Sequence, residues 1–226
     1  MTYVKASVRR PAGNPGNGIQ PKDQLVIYDV DDILSFPQRN EAGVVIEDDI
    51  VMKEGRYAIG IYLTPGTAEI SSNSDGETDA EGYTPSIKFN HPGNQQEIRE
   101  FKTNWLTKKC IVVLRYCSGK PADLIGTPCN PCKLSVSYTG SNESNTNELT
   151  FTQISKGDDI AIYQGTDTLE EPVAVVEAKA TDITYQTDGQ YQLSAGEAKI
   201  AGVTGGSHGS VITLMGCSGV APTVET

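Results

Sequence analysis

The chain has 226 residues, a formal net charge of −11 and only 37% hydrophobic residues, punctuated by Gly 23 and Pro 12. That length can hold one large β domain or two small ones, and the frequent turn formers suit short strands better than a helical bundle. The acidic balance excludes DNA or RNA as the main partner, because gripping phosphates requires a basic footprint.

The N-terminal run Met1-Thr2-Tyr3-Val4-Lys5 lacks the apolar stretch of a signal peptide, and no segment reaches the roughly 20 apolar residues that span a bilayer. The expectation is a soluble chain made in the cytosol, without membrane contact. Asn142-Glu143-Ser144 matches the glycosylation sequon, but without a secretory route it is read as chance. Five cysteines, an odd number, fit free thiols in a reducing compartment better than a disulfide framework.

Taken in chain order, residues 2–10 alternate weakly and run into Pro11-Ala12-Gly13-Asn14-Pro15-Gly16-Asn17-Gly18. Such a tract is neither helix nor regular strand, so residues 1–18 are predicted to be an arm that gains order on a neighbour. Residues 25–28 read as a short strand before the acidic stretch 29–32. In residues 44–52, Val44, Ile46, Ile50 and Met52 share one face; in residues 56–63, Tyr57, Ile59, Ile61 and Leu63 do. Period-2 alternation around Lys53-Glu54-Gly55 predicts a long antiparallel hairpin over residues 44–63. Residues 71–83 form a polar, acidic insert with too little to bury, predicted to be a mobile loop.

Residues 86–90 read as a strand ending in the turn His91-Pro92-Gly93. Asn94 as N-cap with Glu97 closing a capping box predicts a helix over residues 94–105, with Ile98, Phe101 and Trp105 on one face. The unbroken apolar run 110–114 predicts a central, doubly buried strand. Further strands are expected at 133–138, with Leu134, Val136 and Tyr138 inward, and at 149–151, 160–163, 173–176 and 211–215. Asp188-Gly189 predicts a tight hairpin between 181–187 and 190–195, although neither face of it is cleanly apolar. The fold expectation is mainly β: an antiparallel β-sandwich or barrel with long hairpins and one packed helix. Residues 1–170 form its core and 171–226 a C-terminal extension or small lobe.

Chemistry is sparse. Gly205-Gly206-Ser207-His208-Gly209 has the form of a nucleophile elbow, but a β-type segment follows where a helix is required, so a glycine-rich loop is expected. Cys110, Cys117, Cys129 and Cys132 include one CxxC without a second knuckle, which favours buried and free thiols over a zinc site. Asn73-Ser74-Asp75-Gly76 lacks the first and last ligands of a calcium loop and the helices that flank one. Trp105 reads as core, and His91 and His208 are too isolated to anchor a metal. The expectation is no catalytic residue, no metal, no cofactor and no enzyme.

One stretch carries a resemblance. Residues 55–65, Asp75-Gly76-Glu77, Phe89-Asn90-His91-Pro92-Gly93-Asn94, Glu97-Ile98-Arg99-Glu100-Phe101 and the run from Leu124 to Pro131 occur in an order similar to virion structural proteins of tailed bacteriophages, especially those infecting Bacteroidetes. The layout resembles the tail-tube fold, over residues 55–165. The resemblance implies a non-enzymatic virion subunit that forms rings or a tube with copies of itself and meets other virion proteins. The alternatives are a capsid auxiliary protein of the same particle and a β-sandwich module binding a carbohydrate or cell-surface partner. The subunit-contact candidates are Tyr3 and Val4 of the arm, Val45, Val51 and Tyr62 of the hairpin, Asp75, Glu77 and Tyr83 of the acidic insert, and Tyr185 and Tyr191 near the C-terminus.

Overall fold

The computed structural model describes residues 6–117 and 119–169, and beyond them the backbone of seven short strands. Contacts divide the chain into two units, Met1–Glu170 and Glu171–Thr226. The protein is mainly β, with one α-helix among the described residues, and its sheets are mixed and antiparallel and do not close.

In the first unit the strands are β1 (Pro21–Asp29), β2 (Ile33–Ser35), β3 (Val45–Ile46), β4 (Val51–Met52), β5 (Ile59–Tyr62), β6 (Glu69–Asp75) and β7 (Gly82–Pro92). Helix α1 (Gln96–Trp105) follows, then β8 (Cys110–Tyr116), β9 (Ala122–Ile125), β10 (Cys132–Gly140), β11 (Asn145–Gln153) and β12 (Ala161–Tyr163). The centre is β8, whose first five residues are all buried, as the apolar run predicts. It pairs with β1, with β9, and at Cys110 with Cys132 of β10. From it one branch runs through β9 and β12 to β3, another through β10, β11 and β7 to β6, and β5 lies outside β1.

Because β1 and β8 are apolar on both faces, they serve two cores. Leu25, Ile27, Val112 and Leu114 meet Phe89, Leu134, Phe151 and Ile98 of the helix on one face. On the other, Val26, Tyr28, Ile111 and Val113 meet Ile46, Ile50, Leu124 and Tyr163. Alternation along two neighbouring strands thus sorts adjacent residues into separate clusters.

Several expectations are corrected. The 44–63 hairpin does not form. The turn itself is present, with Arg56 N–H donating to Lys53 O at 2.9 Å and Gly55 at φ 70°. Its flanking strands pair elsewhere: β4 with β2, β5 with β1, and β3 in parallel with β12. The parallel pair also makes the large sheet mixed rather than antiparallel. Exposed Glu47, Asp48 and Asp49 break the first strand, and the buried central strands offer β5 a better partner. Ile59, Ile61 and Leu63 do turn inward, whereas Val44 and Tyr57 are exposed.

The acidic insert is also corrected, from a mobile loop to an ordered hairpin. β6 pairs with β7 from Glu69–Lys88 to Asp75–Gly82, leaving only residues 76–81 as its tip. Gly76, at φ 144°, is required there, since a Cβ would collide with the carbonyl of Ala80. Long-range pairing along β7, itself bound to β11, supplies the order that composition does not.

Asn94 is not the helix cap. The N-cap is Gln95, which makes no side-chain capping bond. Asn94 Oδ1 instead accepts from Lys102 Nζ at 3.1 Å and its carbonyl accepts from Arg99 Nε at 2.9 Å. The preceding Gly93 is fastened to the sheet by Asn145 O and by Asn147 Nδ2, which delays entry into the helix. Ile98 is buried as expected, and Phe101 stacks on Trp105 at 5.7 Å. Tyr138, expected inward, is exposed, its ring under Lys102 Nζ at 5.1 Å.

The second unit contains β13 (Ala174–Val176), β14 (Asp182–Thr184), β15 (Gln190–Leu193), β16 (Lys199–Ile200), β17 (Gly202–Thr204), β18 (Thr213–Met215) and β19 (Thr223–Val224). Every pairing described in it is parallel: β13 with β15, β15 with β18, β14 with β17, and β16 with β19. Asp188-Gly189 itself lies outside the described residues; the hairpin expectation is corrected in that, among the described residues, β14 and β15 do not pair with each other. Each takes parallel partners instead, β14 from later in the chain and β15 from strands before and after it.

Candidate functional site

The residues expected to contact other subunits fall at scattered places. Val45 is half-buried in β3, whose outer side is closed by its own chain. Asn40 N–H donates to Val45 O at 2.7 Å, and Asn40 Oδ1 accepts from the amides of Val44 and Val45. Val51 is exposed on β4. Tyr62 is exposed on β5 with its ring edge-on to His91 at 6.1 Å, and its carbonyl lies 2.9 Å from His91 Nδ1.

Asp75, Glu77 and Tyr83 are brought together at one end of the β6–β7 hairpin. Asp75 pairs with Lys156 at 3.2 Å, which holds its carboxyl below the ordinary value. Tyr83 exchanges backbone hydrogen bonds with Gly157 at 2.9 and 3.0 Å while its side chain stays exposed. Glu77 is exposed on the tip. Tyr3, Val4 and Tyr185 lie outside the described residues, as do Ser207 and His208. For Tyr191 the backbone alone is described: it stands in β15, between Ala174 and Leu214.

Residues 6–20 have no regular secondary structure, apart from bends and a turn, and all are exposed, Val8 almost completely. Between residues 6 and 19 the hydrogen bonds are local, Arg10 Nη2 to Gly13 O and Asn17 N–H to Asn14 O. The strand ladder is likewise open on β6, which pairs only with β7; among the described residues its backbone groups have no partner on the other side.

Among the described residues, the Asp29–Lys108 pair and three larger clusters hold polar groups partly or fully inside the fold. In the first, Asp167 accepts from Tyr28 OH at 2.7 Å and from Arg115 Nε, and Arg115 Nη2 donates to Gly165 O at 2.6 Å. Tyr163, whose ring lies 5.5 Å from the guanidinium, accepts from Ile50 N–H at 3.2 Å. Burial, then Asp167, pushes the Tyr28 hydroxyl far above its ordinary value, while Asp167 pushes Arg115 up. Tyr28 and Arg115 therefore keep their protons at neutral pH, and the cluster acts as a fastener of residues 164–169 to β1 and β8. Nothing in the sequence pattern marks it, because Gly165-Thr166-Asp167-Thr168 reads as an ordinary polar loop.

The second cluster centres on Asn147, fully buried, which accepts from Lys102 Nζ at 2.6 Å and donates to Gly93 O at 2.5 Å. Desolvation, then Arg99, lowers the Lys102 ammonium. One amide thereby ties the helix to the sheet.

In the third, Asp123 accepts from Tyr116 OH. Desolvation is the largest influence on Asp123 and raises its carboxyl above the ordinary value of 3.8, partly offset by the Tyr116 bond. A raised carboxyl binds its proton more tightly in the folded chain, so its contribution to stability falls as pH rises from the unfolded value through the folded one. Asp123→Asn keeps the acceptor for Tyr116 without the charge. Its stability relative to wild type is expected to increase with pH across the carboxylate range, as followed by urea unfolding at several pH values; a difference independent of pH would refute this.

The cysteines separate rather than converge. Cys110 and Cys132 are buried opposite each other on β8 and β10, with Cys110 Sγ donating to Cys132 O at 3.4 Å, whereas Cys117 and Cys129 are exposed. Among the described residues no three His, Cys, Asp or Glu side chains gather as metal ligands. Burial pushes the Cys110 thiol up to about 12, and the Cys132 thiol upward as well. Since the thiolate is the reactive form, maleimide treatment of the folded protein should label Cys117 and Cys129 quickly and Cys110 and Cys132 only on unfolding. Peptide mass mapping reads this directly, and rapid labelling of Cys110 would contradict the packing.

Compared with protein-family models, curated proteins and solved structures, the chain matches none of them.

Proposed function

We propose that the protein is a non-enzymatic structural subunit of a tailed-phage virion, a tail-tube-like β-sandwich that assembles with copies of itself into rings or a tube. The observation that carries the reading is the presence, on the same chain, of an open strand edge and of an arm that over its described residues 6–19 is exposed and bonded only to itself. Extended backbone that buries nothing loses conformational entropy without return, and an unpaired ladder invites another strand. Each copy therefore offers both a donor and an acceptor of main-chain hydrogen bonds. Exposed Tyr62 and Tyr83 add side chains of the type enriched at protein contacts.

A donor and an acceptor at different places on one subunit make a heterologous contact, which closes into a ring or continues as a filament. The buried polar clusters support the structural side of the reading, since each is spent on fastening chain segments. Sedimentation velocity over a wide concentration range, with negative-stain imaging of the same samples, tests the proposal. Rings or tubes are expected; a protein that stays monomeric at its highest concentration would overturn it.

A further inference from the structure

We propose that the arm of one copy, residues 6–10, adds as a strand to the open edge of β6 in a second copy, steered by opposite charge. This rests on the self-assembly reading above and specifies its contact.

The first twenty residues carry Lys5, Arg9 and Arg10 and no carboxylate, so all 29 Asp and Glu residues lie downstream of them. A basic, exposed strand-length segment on an acidic protein finds its complement on another part of the same surface. The β6 edge supplies it. Seven residues long, it carries Glu69 and Asp75 and leads into Glu77, Asp79 and Glu81 of the tip. Nearby cations are few: Lys88 pairs with Glu69 at 3.2 Å and Lys156 with Asp75 at 3.2 Å.

The chemistry of the edge chooses between occupants. Two β6 edges brought together would set carboxylates against carboxylates, which disfavours edge-to-edge pairing of like strands. The edge of β3 is already closed by Asn40. A strand bearing cations satisfies both the ladder and the charge, with main-chain bonds giving the affinity and charge giving the selection. Gly13 at φ 77° and Gly16 and Gly18 behind the arm let it leave its own subunit at varied angles.

A charge exchange tests this. Arg9→Glu/Arg10→Glu makes the arm acidic against an acidic edge; Glu77→Lys/Asp79→Lys makes the tip basic against a basic arm. Each double variant alone is expected to associate about tenfold more weakly than wild type. Their equimolar mixture should recover assembly, because each arm then finds an opposite tip on the other variant. Variants that assemble like wild type, or a mixture that is not rescued, would overturn the arm assignment while leaving self-assembly standing. A wild-type chain that never associates would overturn the assembly reading itself. A Val8→Cys chain mixed with an Asn73→Cys chain should in addition give a disulfide between those two positions, identified by peptide mapping. Its absence from assembled material would also count against the proposal.

Discussion

Replacing Asp167 with alanine is expected to lower the free energy of unfolding by about 3–5 kcal/mol, the range for removing one partner of a buried ion pair. The carboxylate side chain is 6% exposed and its Arg115 partner 27% exposed. Truncation leaves a guanidinium facing Gly165 O and the Tyr163 ring with no counter-charge, and leaves Tyr28 OH without an acceptor. The loss comes mainly from those stranded groups. Removing both charges, in Asp167→Leu/Arg115→Met, is therefore expected to recover a good part of the stability, since a buried pair and a well-packed apolar pair are often close in free energy. Urea unfolding followed by the fluorescence of Trp105, the single tryptophan, measures both. A single variant within 1 kcal/mol of wild type, on the same order as a surface change, would show that the cluster is not the fastener described.

Phe151→Ala should be comparably severe, costing about 3–5 kcal/mol as a large-to-small change in a filled core. Phe151 is fully buried on β11, opposite Leu134 of β10 and Ile87 of β7, and its ring stacks on Phe89 at 6.3 Å with a 12° angle between planes. These neighbours belong to the two strands that flank β11, so the cavity cannot collapse without breaking a ladder. Tyr138→Ala on β10 supplies the contrast. Its ring is exposed, lying over Gly140 and beneath Lys102 Nζ, so about 1 kcal/mol at most is expected. Equal losses for the two aromatics, in the same urea experiment, would contradict the burial assigned to them.

These residues also show where the sequence is legible. Cys110 to Leu114 announce a central strand because five apolar residues in a row have no polar face to turn to water. Ile98, Phe101 and Trp105 announce the helix face by spacing alone. The cores on either side of β8 follow from the same patterns. The exposure of the arm was likewise legible, since composition marks it.

Pairing was not legible. Lys53-Glu54-Gly55 is a sound turn signal, yet it does not join two strands that pair with each other, and the described strands on either side of Asp188-Gly189 also pair elsewhere. A turn sequence reports the local backbone; which strands lie side by side depends on the burial available elsewhere in the chain. The Asp167 and Asn147 clusters were missed for a related reason. Their partners stand far away in sequence, and nothing about a lone Asp in a polar loop, or an Asn amid threonines, reveals that it will be enclosed.

The sequence by itself determined the mainly β class, the doubly buried central strand, the helix after residue 95 and the basic arm on an acidic chain, because these depend on residue type and short-range period. Tertiary structure alone decided the parallel pairings, the order of the acidic hairpin, the delayed helix start and the buried ionic fastener. Those outcomes are set by competition among distant segments for the same ladders and the same enclosed space, and no local pattern carries that information.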